Sequence, residues 1–153
     1  MIWFYSFIQP LSASQIASLT QAFDGFLANW KSHGTPVTSN IQFYHQHFIV
    51  IQAELHGGQP SGCSIDSMKK SVGEILQAQQ LAETDAAQVF YQNVAGELAS
   101  VHFKEIAQLL QSGELSAETM VFDHTLNQTG DFSQWEKPLK DTWLKRFLPK
   151  IAA

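Results

Sequence analysis

The first stretch of the chain restricts the fold more than any other. Ile2-Trp3-Phe4-Tyr5-Ser6-Phe7-Ile8 is a near-continuous apolar and aromatic run that Pro10 ends. Such a run suits a central strand covered on both faces. A helix start stands directly behind it. Ser12 and Gln15 have capping-box spacing, and Leu11 and Ile16 fall where a hydrophobic staple needs them. From there Ile16, Leu19, Phe23, Phe26, Leu27 and Trp30 recur at helical spacing, and Gly34 followed by Pro36 is expected to close the helix.

Residues 40–55 read as two strands. Ile41, Phe43 and His45 alternate with polar positions, and Phe48-Ile49-Val50-Ile51 is a fully buried run. A tight turn near His45-Gln46 joins them, although no glycine marks it. The loop His56-Gly57-Gly58-Gln59-Pro60 leads into a second helix with Ile65, Met68, Val72, Ile75 and Leu76 on one side. Ser64 reads as its N-cap and Asp66 as a first-turn carboxylate. Residues 78–87 are polar and Ala-rich and are the best place for an internal boundary.

Beyond that boundary, Val89-Phe90-Tyr91 and Leu98-Ala99-Ser100-Val101 read as short strands around an Asn93–Gly96 turn. A helix carrying Phe103, Ile106, Ala107, Leu109 and Leu110 stops at Gly113. Met120-Val121-Phe122 is a further strand, and residues 127–134 form a polar loop. Pro138 then opens a last helix with Leu139, Trp143, Leu144, Phe147 and Leu148 inward. The expected architecture is α+β, with a mixed or mainly antiparallel sheet flanked by helices. It runs β-α-β-β-α and then a smaller β-β-α-β-α, in one domain over 1–153 that allows sub-modules 1–80 and 88–153.

Charge and cysteine content narrow the function. A net charge of −5 lacks the basic footprint of a general nucleic-acid binder. Residues 1–136 carry 4 basic and 13 acidic groups, against 5 and 1 in 137–153, which suits a solvated face on the last helix. One cysteine makes no internal disulfide, so a cytoplasmic location is expected. The opening apolar run resembles a short signal segment, but no basic residue precedes Lys31 and a helix follows at once. No apolar run reaches membrane-spanning length.

Ser61-Gly62-Cys63-Ser64-Ile65-Asp66 holds the only cysteine and opens the second helix. Unpaired backbone N–H groups and the positive end of the helix dipole favour a thiolate or a bound anion there. Gly57, Gly58, Ser61, Gly62, Cys63, Ser64 and Asp66 are therefore the candidate ligand-binding residues. As a nucleophile Cys63 needs a base, for which His33 and His56 are the candidates. His45, His47, His56 and Cys63 would make a zinc-like set only without a turn at 45–46, so no metal or cofactor is expected. Trp30, Trp135 and Trp143 lie on apolar stripes and read as core, and His102 and His124 as capping or surface residues.

Two ATPase lures overlap in the same loop. Leu55-His56-Gly57-Gly58-Gln59 differs by one residue from the LSGGQ signature of ABC-transporter ATPases, and Gly57 to Gly62 has Walker A spacing. Cys63 stands where that motif requires Lys, so the cation that spans the β and γ phosphates is missing and ATP hydrolysis is not expected.

A wider likeness runs nearly end to end. It rests on Trp30 with His33-Gly34, Phe48-Ile49-Val50, the Ser61–Asp66 hexapeptide, Val121-Phe122, and Trp135-Glu136 with Pro138-Leu139-Lys140-Asp141 and Trp143. In these residues the chain resembles a family of small bacterial proteins of unassigned function, some labelled "ABC transporter ATPase". The resemblance implies a shared fold and a shared site at the hexapeptide, and no activity. Phe103, Leu109, Gly113, Leu115, Thr119, Val121 and Trp135 also follow the rhythm of GYF-like modules, which implies peptide binding by an exposed groove around Tyr91 and Trp135.

The sequence reading that follows is a non-catalytic cytoplasmic protein. It binds a small anionic ligand or a protein partner at Gly57–Asp66, bordered by His33, with homo-oligomerisation left open and neither nucleic acid nor membrane as partner. The alternative is a cysteine-dependent enzyme using Cys63 with a histidine base.

Overall fold

The computed structural model describes residues 1–55, 57–126 and 130–150. It is an α+β structure whose ladders are antiparallel throughout the described residues. The chain divides into two compact units, Met1–Thr84 and Asp85–Ala153.

In the first unit β1 (Ile2–Ser6) is an edge strand, not the central one. The centre belongs to β5 (Phe48–Glu54), which pairs with β1 on one side and with β4 (Thr38–Tyr44) on the other. Phe48, Ile49, Val50 and Ile51 are all buried, as their continuous apolar character demands. The turn between β4 and β5 holds His45 and Gln46 at φ 52° and 58° without glycine, closed by the His47 amide donating to the Tyr44 carbonyl at 3.1 Å.

Helix α1 (Ala13–Leu27) starts where the capping box places it. It ends at Leu27 with Ala28 as C-cap, well before Gly34. Gly34 instead turns a hairpin of β2 (Lys31–Ser32) and β3 (Thr35–Pro36), with His33 at φ 49° and Gly34 at φ 81°. Positive φ at both central residues of a two-residue loop matches the twist of the flanking strands. Trp30 thus lies beyond the helix whose stripe it extends in sequence. Helix α2 (Gly62–Ala78) and α1 bury Leu19, Phe23, Met68, Val72 and Leu76 against Trp3, Ile49 and Ile51. Both helices therefore pack on one face of the sheet, each through the apolar stripe read from its sequence.

The second unit carries a four-stranded sheet in the order β7-β6-β8-β9. Its strands are β6 (Gln88–Gln92), β7 (Leu98–His102), β8 (Met120–Phe122) and β9 (Glu136–Pro138). Helix α3 (Ile106–Ser112) follows a 3-10 turn over Phe103–Glu105 and stops at Gly113 in the left-handed region, φ 84°. Leu139 and Leu144 join Val89, Ile106, Leu115 and Val121 in this unit's core.

The last helix expected from Pro138 is absent as an α-helix. Pro138 ends edge strand β9, where its missing N–H costs no ladder bond, and two 3-10 turns follow, Leu139–Asp141 and Trp143–Phe147. Thr142 separates them in extended conformation (φ −108°, ψ 175°). Its hydroxyl donates to the Leu139 carbonyl at 2.8 Å and accepts from the Leu144 amide at 3.1 Å. The polar loop expected over 127–134 contains a 3-10 turn at Phe132–Gln134, and residues 127–129 lie outside the described residues. No described helix is long and apolar enough to cross a membrane.

Candidate functional site at the start of helix α2

Ser61, not Ser64, caps α2. Its φ of −67° and ψ of 159° place it in the extended region, and its Oγ accepts from the Ser64 amide at 3.3 Å. Ser64 is the third helical residue. It is buried, and its hydroxyl donates back to the Ser61 carbonyl at 2.8 Å. Asp66 is exposed and sits past the first turn, so no carboxylate compensates the positive helix end.

Two residues far away in sequence hold this start in place. The Ser61 amide donates to Oγ of Ser32, a buried β2 residue, at 2.9 Å. The indole of Trp30 donates from Nε1 to the Ser64 carbonyl at 2.9 Å, in a buried contact. Trp30 itself is packed edge-on to Trp3, with ring centroids 6.1 Å apart, and against Phe26 at 5.9 Å. Neither Ser32 nor Trp30 was legible as a positioning residue. The one available signal was the polar N–H of the Trp30 indole, which needs a partner when buried.

What remains open is the outer side of the first turn. Gly62 and Cys63, the first two helical residues, are exposed, and among the described residues no acceptor meets their amides. Two adjacent N–H donors at the positive end of a seventeen-residue helix make a place for a single negatively charged oxygen group. The Cys63 thiol stands beside them in solvent.

The glycines of this loop and helix start are uncrowded. A Cβ placed on Gly57, Gly58 or Gly62 meets nothing within 4 Å. Gly57 has φ 87° in the turn where the Gly58 amide donates to the Leu55 carbonyl at 3.0 Å, so its backbone accounts for it. Gly58 and Gly62 have neither a positive φ nor a close neighbour to account for them.

The histidines distribute themselves elsewhere. His33 is exposed at the tip of the β2–β3 turn, next in sequence to Ser32, and makes no hydrogen bond to Cys63. His56 lies outside the described residues. His45 and His47 occupy the β4–β5 turn, with Nδ1 of His47 at 2.7 Å from the Phe7 carbonyl. Among the described residues no group of three His, Cys, Asp or Glu side chains is arranged to hold a metal.

His102 caps the 3-10 turn that follows it, its Nδ1 accepting from the Lys104 amide at 3.2 Å. His124 is half-buried. Burial pushes its imidazole down to about 4, against a smaller upward pull from Asp123, and its ring stacks on Trp135 with centroids 6.0 Å apart.

Trp135 is buried among Phe122, Phe132 and His124. The aromatic groove that a peptide-binding reading requires around Tyr91 and Trp135 therefore lacks its tryptophan as an exposed wall. Compared with known proteins, the chain matches no family model, no curated protein and no solved structure.

Proposed function

We propose that this chain is a non-catalytic cytoplasmic binding protein. It captures a small anionic ligand, or the anionic group of a partner chain, on the main-chain amides of Gly62 and Cys63. The observation that carries the reading is Gly62 itself. Gly62 brings no side chain to the first helical position, and among the described residues nothing fills the space that this leaves beside its exposed amide. A backbone approached closely from outside uses that space.

Pre-organisation supports the same conclusion. Ser32 and Trp30 fix the first turn before any ligand arrives, so little ordering entropy is lost on binding. The site coincides with the Ser61–Asp66 hexapeptide that carries the likeness to the small bacterial family, and we extend the proposed role to that shared segment. The cysteine-enzyme alternative rests on the same exposed thiol and requires an imidazole upon it; no described histidine hydrogen-bonds Cys63.

Thermal unfolding with and without inorganic phosphate tests the proposal. Phosphate at ten times its Kd stabilises a one-site protein by about 1.4 kcal/mol. The stabilisation is expected in the wild type and in Cys63→Ser, and is expected to vanish in Gly62→Leu, whose side chain enters open space and leaves the fold intact. Equal stabilisation of Gly62→Leu would contradict amide capture. Loss in Cys63→Ser alone would move the function to the thiol.

A further inference from the structure

We draw no further inference here: the strongest candidate, the aromatic and basic surface patch on the last 3-10 turn of the second unit, where the exposed Arg146 guanidinium lies 4.7 Å from the ring centre of Trp143 and 4.8 Å from that of Phe147, carries nothing because nothing in the structure shows what covers it.

Discussion

The two long helices of the first unit begin with serine, and they solve the same physical problem by different means. At α1 the solution is local. The Ser12 hydroxyl accepts from the Gln15 amide at 3.1 Å, and the Gln15 side chain accepts from the Ser12 amide at 2.8 Å. At α2 the third helical residue is Ser64, whose hydroxyl turns back to the Ser61 carbonyl and leaves the cap amide to another element. Ser32, 29 residues earlier, supplies that acceptor, and Trp30 holds the Ser64 carbonyl from 34 residues away.

A locally closed start is self-sufficient and can fray independently. A start held by tertiary contacts is rigid only when the unit is folded, and it presents its open amides in a fixed position. That difference, more than the presence of a cysteine, makes the start of α2 the candidate site.

Removing the tertiary anchor should break the contrast most strongly. Trp30→Ala deletes a side chain that is 3% exposed, along with its bond to Ser64. Chemical denaturation should show a loss of about 3–5 kcal/mol. Trp30→Phe keeps most of the packing and removes the hydrogen bond, and should cost about 1–2 kcal/mol. A Trp30→Phe variant as stable as the wild type would mean that the bond to Ser64 contributes nothing.

The caps come next. Ser32→Ala strands the Ser61 amide and should cost about 1–2 kcal/mol, although Ser32 belongs to neither helix. Ser61→Ala should cost about 0.5–2 kcal/mol, comparable with Ser12→Ala at the other helix. Were Ser32→Ala to be neutral in urea titrations, the start of α2 would be as locally determined as that of α1.

Gly62→Ala has the smallest expected effect and the opposite sign. Alanine at an unstrained helical position with open space around it should stabilise the fold by about 0.4–1 kcal/mol, while the added methyl crowds the amides and weakens phosphate binding. Destabilisation by this substitution would mean that the chain itself requires the glycine.

The same contrast explains what could be read from the sequence. The capping box of α1 was legible because donor and acceptor lie three residues apart. For α2 the sequence points to Ser64 as the cap, whereas the cap is Ser61, held by Ser32 and with Trp30 on the Ser64 carbonyl, which no local pattern connects to it. The buried run Phe48–Ile51 announced a strand but not its place, since Ile2–Ser6 is equally apolar and yet forms an edge.

His33-Gly34 resembles a helix C-cap as closely as it resembles a hairpin turn, because both need a positive φ. That ambiguity carried α1 past its end and hid β2 and β3. The spacing of Leu139, Trp143, Leu144 and Phe147 suits an α-helix, but two 3-10 turns broken at Thr142 bury Leu139 and Leu144 just as well.

Phosphate titration followed residue by residue in the amide ¹H–¹⁵N spectrum tests the central claim most directly, because each helix start serves as the control for the other. The account predicts saturable shifts at Gly62 and Cys63, with Ala13 and Ser14, the equivalent positions of α1, unmoved. Shifts of the same size at both helix starts, or none at Gly62 and Cys63, would contradict it.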